Sequence, residues 1–268
     1  MKKTICLLLA LFVFAGCAPV AEKGEFRVGL ECNYAPFNWT QTTAENDAVP
    51  ISSGGYAGGY DVEIAKLIAD GLGKKLVIVK TEWDGLTPAV DSGKIDAVIA
   101  GMSPTAERAL TVDFSDPYYE SDLVIVIKKD GPFASAASLE DFSGAKITGQ
   151  LNTFHYSVID QIPNVKKQTA AESFPAMIVA LDSGKIDGYV SERPGAISAI
   201  ASNPTLAFIS FEEGKGFEAS PEDIAIAVAL KKGSELTAKI NEILTGISQE
   251  QRQTLMDTAI TNQPVAAE

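Results

Sequence analysis

From residue 25 onward, short apolar runs alternate with stretches in which apolar positions recur every three or four residues. Residues 26–30 read as a first strand. Over 61–70 the side chains of Ile64, Ala65, Leu67 and Ile68, with Leu72 beyond, share one helical face. Asp61 stands where an N-cap is expected, and Gly71 and Gly73 close the helix. A strand over 76–79 and a helix over 86–91 follow. Residues 123–127 form another strand, which ends in the break Lys128-Lys129-Asp130-Gly131-Pro132. Beyond the break come a short helix at 138–143, a strand at 146–149, a helix at 152–160, a strand at 165–168 and a helix at 195–201. Residues 208–211 read as a path back to the first half, 224–230 as an apolar strand, and 235–244 and 249–258 as closing helices. The alternation predicts an α/β fold whose mostly parallel strands are covered by helices. The polar, glycine- and serine-rich segment 40–59 is too long for a routine connection and reads as a surface hairpin or flexible loop.

One hexapeptide, Asp-Ser-Gly-Lys-Ile-Asp, occurs at 91–96 and again at 182–187. Each copy follows an apolar stretch and leads into a short apolar run that ends in serine, Ser103 or Ser191. The physical reading is a helix that stops at Ser-Gly, with Gly93 or Gly184 taking the left-handed conformation. Lys94 and Lys185 suit the negative helix end, and a buried strand follows. Asp96 and Asp187 are expected to be structural, bonding local backbone groups as each strand starts. Two such units predict two similar lobes, with ligand binding in the crevice at the carboxyl ends of the strands.

Composition narrows the setting. Lys2 and Lys3 precede an apolar stretch over 5–14, and Ala15-Gly16-Cys17 resembles the lipobox of bacterial lipoproteins, with Phe14 where leucine is usual. Residues 1–16 are read as a lipoprotein signal peptide and 17–24 as a tether lipidated at Cys17. The stretch falls short of the roughly 20 residues a membrane span needs. Cys6 leaves with the signal, and Cys32 then has no partner for a disulfide or a metal site. It reads as a small core or cleft-wall residue. The formal charge is −13, and loss of Lys2 and Lys3 takes it to −15. That balance argues against nucleic acid as a partner.

The motifs Tyr34-Ala35-Pro36-Phe37, Gly59-Tyr60-Asp61-Val62-Glu63-Ile64-Ala65 and Asp113-Phe114-Ser115-Asp116-Pro117-Tyr118-Tyr119 resemble those of the amino-acid-binding proteins of bacterial ABC importers, solute-binding protein family 3. The resemblance covers residues 25–260. It implies a two-lobe periplasmic-binding-protein-like fold of type II, with two crossover hinge strands. Residues 25–128 would form lobe 1 and 129–211 lobe 2, with 212–268 returning to lobe 1. It also implies a free L-amino acid as ligand, ABC permease subunits as partners, a lipid anchor, and a place at the extracytoplasmic face of the membrane or in the periplasm. The chain is expected to act as a monomer without cofactor or metal.

The resemblance also assigns residues. Arg108 stands at the carboxylate-binding arginine, whose guanidinium fork holds both oxygens. The backbone N–H groups of Gly101, Ser103 and Thr153 are the accompanying donors, with Thr153 at a helix start that favours an anion. Glu192, where relatives usually carry aspartate, and the Ser103 hydroxyl would take the ammonium group. Glu31, Tyr34 and Trp83 would form the side-chain pocket, the two aromatics sandwiching the ligand, and Phe154 would add bulk or a third wall. A carboxylate between two rings favours a basic side chain such as arginine or lysine, with glutamine or histidine open. An enzyme on this fold, dehydratase-like, and an amino-acid-sensing module are the alternatives. The single histidine, His155, reads as structural.

Overall fold

In the computed structural model, which describes residues 24–264, β1 (Glu25–Leu30) buries Phe26, Val28 and Leu30. Four short strands follow, β2 (Asn33–Tyr34), β3 (Asn38–Gln41), β4 (Val49–Pro50) and β5 (Tyr56–Gly58), and they pair as a small antiparallel sheet. The 40–59 segment is therefore a hairpin. The first lobe continues with α1 (Tyr60–Gly71), β6 (Lys75–Lys80), α2 (Trp83–Asp91), β7 (Ala97–Val98) and β8 (Val112–Glu120). Next come β9 (Leu123–Lys128), β10 (Lys146–Thr148), α3 (Phe154–Ser157), β11 (Lys166–Lys167), α4 (Phe174–Asp182), β12 (Gly188–Glu192), α5 (Arg193–Ser202) and β13 (Leu206–Ile209). The chain closes with α6 (Pro221–Ile224), β14 (Ala225–Lys231), α7 (Leu236–Thr245) and α8 (Gln249–Asn262). The signal peptide, the tether and Cys17, expected within residues 1–23, lie outside the described residues.

The two main sheets share one plan. The first runs β6-β1-β7-β14-β8 and the second β11-β10-β12-β9-β13. In each, three parallel strands are followed by one antiparallel strand, β14 or β9. That fourth strand is the one arriving from the other lobe. The first crossing falls at Ser121–Asp122, ahead of β9, and not after residue 128. The break at 128–132 is the turn that follows β9. The return is also later than 208–211. β13 pairs with β9, Phe211 packs in the second-lobe core, and the chain re-enters the first sheet only at β14. The crossings touch where the Ser121 N–H donates to the Ile224 carbonyl at 3.2 Å.

The repeated hexapeptide does the same work in both lobes. α2 and α4 end at Ser92 and Ser183, and Gly93 and Gly184 follow at φ +75° and +72°, where a side chain would be strained. Asp96 accepts the backbone N–H of Arg27 at 2.8 Å, and Asp187 accepts that of Lys146 at 2.8 Å. The aspartates thus bond backbone, but on the neighbouring parallel strand, whose start each one clamps.

Other local expectations shift. Gly59, not Asp61, caps α1; Asp61 lies in the first turn with its carboxylate fully buried. Leu67 is 40% exposed and does not join the inward face. The strand after the first repeat is only two residues long. Helix 152–160 is one α-turn, α3, followed by a 3-10 turn at Val158–Gln161, and 138–143 is a 3-10 turn capped reciprocally by Ser138 and Asp141. α8 packs on α1 of the first lobe and on α5 of the second.

Candidate functional site

The carboxyl ends of the parallel strands of both lobes face one another, and most of the residues singled out from the sequence meet there. Tyr34, Trp83, Gly101, Ser103 and Arg108 come from the first lobe, Thr153 and Phe154 from the second. Together they wall a cavity of about 10 Å³, room for about one water. Outside it, beyond Trp83 and Arg108, lies a chamber of about 570 Å³ whose walls carry Asp84, Glu107 and Asp223.

Arg108 follows β7 on a 3-10 turn. Its Nη1 donates to the Ser103 carbonyl and its Nη2 to the Asn152 carbonyl, both at 2.9 Å, so it reaches across the cleft. Its guanidinium lies 5.1 Å from the Trp83 ring centroid. No carboxylate pairs with it among the described residues, and Asp113 is instead engaged with Lys232 at 3.0 Å. Burial pulls its pKa down to about 10, which leaves it charged at neutral pH. A half-buried, unmatched guanidinium is a seat for an anion.

Two of the expected donors differ. The Gly101 N–H points away from the cavity and donates to the Tyr118 hydroxyl at 3.3 Å. What Gly101 provides is room: at φ +63° it lets the Tyr34 ring approach to where a Cβ would stand 3.1 Å away. Thr153 does precede a helix, but α3 is a single turn and adds little macrodipole. Its hydroxyl donates to the Gln150 carbonyl at 2.6 Å.

Glu192 ends β12 and is nearly sealed. It lies 3.2 Å from His155, Oε1 to Nε2, while its Oε2 has no partner. Arg193 does not pair with it and bonds Asp122 instead. Burial pushes the Glu192 carboxyl up to about 8. Burial, with the Arg108 charge adding, pulls His155 down to about 4. The Tyr34 hydroxyl and His155 Nδ1 are also buried without partners. Buried polar atoms are satisfied in the great majority of cases, so three orphans from residues at one cleft mark a place for a polar ligand group.

Glu31, just past β1, accepts from the Gln150 amide at 3.2 Å across the cleft. Burial pushes it up to about 7, with Glu82 and Asp84 adding. The expected Tyr34–Trp83 sandwich is replaced. Tyr34 stacks on Phe174 of α4, with ring centroids 4.0 Å apart at 14°, and Trp83 faces Arg108. Phe154 lines the cavity and packs against the second-lobe core.

Sequence reading missed Phe174 and Gln150 and underrated His155. A signal for the first two existed. Phe174 opens α4 as Trp83 opens α2, at the 91-residue offset of the hexapeptides. Gln150 and Glu31 are 119 residues apart, the offset that also separates Lys146 from Arg27, the residues held by the paired aspartates.

Beneath the cavity lies a buried network. Asp61 accepts from the Tyr118 hydroxyl at 2.7 Å and from the Asn38 amide at 2.8 Å. Asn38 in turn accepts the Cys32 N–H at 2.7 Å, and Tyr118 receives the Gly101 N–H. The network thereby ties down the two first-lobe loops that carry Glu31, Tyr34 and Ser103. Cys32 is buried and its thiol pushed up to about 12, which suits a wall residue and not a nucleophile.

A family model described as bacterial extracellular solute-binding proteins, family 3, matches residues 26–259. A probable histidine-binding protein of Campylobacter jejuni is 35% identical over 196 residues, covering 71% of this chain and 70% of that protein. ABC transporter arginine-binding protein 1 of Escherichia coli is 30% identical over 236 residues, covering 84% and 89%. A crystal structure of an amino acid ABC transporter substrate-binding protein from Streptococcus pneumoniae, bound to L-arginine, superposes with a TM-score of 0.77 at 28% identity. That match covers 89% of this chain and 94% of the other.

Proposed function

Because the chain belongs to family 3 of the bacterial extracellular solute-binding proteins, we propose that it captures a free amino acid with a polar or basic side chain between its lobes and delivers it to the permease of an ABC importer. The observation that carries this reading is Arg108, a half-buried guanidinium bridging the lobes with no carboxylate of its own among the described residues. A ligand carboxylate would meet both arms of the fork. Glu192, opposite, is a buried acid with no cation, and a ligand ammonium would supply one. A solute gripped from both sides favours the closed arrangement by its differential affinity for it. The named relatives are binding proteins for histidine and arginine, which agrees with a basic ligand. Within this reading Arg108, with Ser103 and Thr153, takes the carboxylate, Glu192 the amine, and Glu31, Tyr34, Trp83 and Phe174 the side chain.

Among the described residues no helix is long and apolar enough to cross a membrane. Attachment by acylated Cys17 belongs to the same proposal, and mass spectrometry of residue 17 in the membrane fraction decides that part.

A thermal-shift screen against the twenty amino acids, ornithine and citrulline tests the function, because a ligand that binds only the folded chain raises the melting temperature. A rise confined to basic and polar amino acids is expected, and no rise with any of them would refute the reading. Glu31→Gln is expected to weaken arginine or lysine by about tenfold, on the order of 1–2 kcal/mol for one charged hydrogen bond. A neutral ligand such as glutamine should change little. Equal losses for both classes, measured by calorimetry, would remove Glu31 from the side-chain pocket.

A further inference from the structure

Glu192 and His155 form a sealed acid–imidazole pair joined at 3.2 Å, with Glu192 Oε2 and His155 Nδ1 both unpartnered. The surroundings hold no cation bonded to the acid among the described residues. On α5, Arg193 is engaged with Asp122. On α4, Phe174 meets the imidazole edge-on at 6.0 Å between centroids. From the first lobe, the guanidinium of Arg108, whose two arms are given to carbonyl oxygens, and the unpartnered, neutral Tyr34 hydroxyl belong to residues that wall the same cavity as His155. A bare carboxylate sealed without a cation is strongly disfavoured and takes up a proton. The imidazole cannot hold that charge either, since burial and Arg108 both oppose it.

We propose that amine capture is coupled to proton release through this pair, with His155 as the relay and Glu192 as the acid that gives up the proton. This rests on the amino-acid reading above. Before capture, the Glu192 carboxylic acid donates through Oε1 to His155 Nε2, and the ring carries its own proton on Nδ1. When the ligand ammonium arrives, the Oε1 proton passes to Nε2, and the Nδ1 proton, unpartnered in the closed cleft, leaves to solvent while the lobes are apart. The products are a carboxylate paired with the ammonium and a neutral imidazole that now donates to Oε1 through Nε2–H. One proton is released, and total charge and atoms balance. His155 is a positioning residue, acting on the ligand through Glu192.

The sign follows from linkage. Capture requires ionised Glu192, so below the raised value of about 8 each unit of falling pH weakens binding by about tenfold. The test uses the intact chain and titration calorimetry with L-arginine, and with L-glutamine in parallel. Affinity is read at pH 6 and pH 8, and enthalpy at pH 6.5 in two buffers of different ionisation enthalpy. Roughly one proton released per ligand, and affinity about 50-fold higher at pH 8 than at pH 6, is the expected result. In Glu192→Gln both the proton and the pH slope should vanish. In His155→Phe the ionised acid loses the imidazole donor, and the midpoint of the pH profile should move upward. Binding with equal affinity at both pH values and no proton release overturns this proposal alone. No binding of either probe at either pH overturns the amino-acid reading along with it.

Discussion

Replacing Arg108 by alanine is expected to abolish practical amino-acid binding, with affinity falling by roughly 100- to 1,000-fold. Its half-buried guanidinium lines the cleft cavity, and its two arms are spread between carbonyls on opposite lobes. A bound carboxylate would convert that spread into two charged hydrogen bonds, each worth about 1.5–3 kcal/mol. Losing both costs about 3–6 kcal/mol gross; the two carbonyl bonds that the free guanidinium gives up on capture offset part of this, leaving about 3–4 kcal/mol, two to three decades in affinity. The free protein should fold normally, because Asn152 lines the outer chamber, where its carbonyl meets water, and the Ser103 carbonyl loses one bond beside the space that the side chain vacates. Arg108→Lys is the sharper control. It keeps the charge but loses the planar fork and the stacking on Trp83, and should recover only part of the affinity. Calorimetry with L-arginine reads both variants, and parental affinity in the alanine variant would remove Arg108 from the site.

The second large effect is expected at Asp61, where alanine should cost about 3 kcal/mol of stability. Two donors, the Tyr118 hydroxyl and the Asn38 amide, would be left buried without an acceptor, at about 1–3 kcal/mol each. Relief from burying a carboxylate offsets part of that. At about 2–4 °C per kcal/mol for a chain of this size, the melting temperature should fall by roughly 6–12 °C. Asp61→Asn keeps one acceptor oxygen and should cost less. It should also alter pH dependence. Burial raises the folded pKa of Asp61 to about 6. Between its unfolded value and about 6 the folded chain therefore holds a proton the unfolded chain has lost, and the contribution of Asp61 to stability falls as pH rises through that window. The asparagine variant lacks that slope. An alanine variant melting within 2 °C of the parent would show that the network carries no weight.

Asp61 also illustrates what could be read from the sequence. An aspartate ahead of an apolar helical period is a fair N-cap by local rules. Its actual partners lie 23 and 57 residues away, and no local pattern reports them. The hexapeptide was different, because everything it encodes is local or repeated. The helix stop, the left-handed glycine and the entry into a buried strand were all legible. The small sheet was not, since its strands are two to four residues long within a polar segment. The first crossing was hidden by β9 itself, which is apolar on both faces and reads as a strand of whichever lobe precedes the break. At the site, the motif residues gathered as expected. The ring stacked on Tyr34 is Phe174; Trp83 and Phe174 occupy matching places in the two lobes, and only the pairing across the cleft distinguishes them.

That correspondence bears on how a ligand is oriented. Trp83 with Phe174, and Glu31 with Gln150, bring equivalent positions of the two lobes to the same cleft. A perfectly duplicated cleft would present the same face twice, and a small zwitterion could enter in either of two reversed poses. The degeneracy is broken at few places. Glu31 opposes a neutral amide, Gly101 stands at the 91-residue counterpart of Glu192, and the cavity-lining arginine, Arg108, is on one side. A handful of unlike pairs on a duplicated frame is enough to give the cleft a polarity, so that head and tail of the captured molecule are no longer interchangeable.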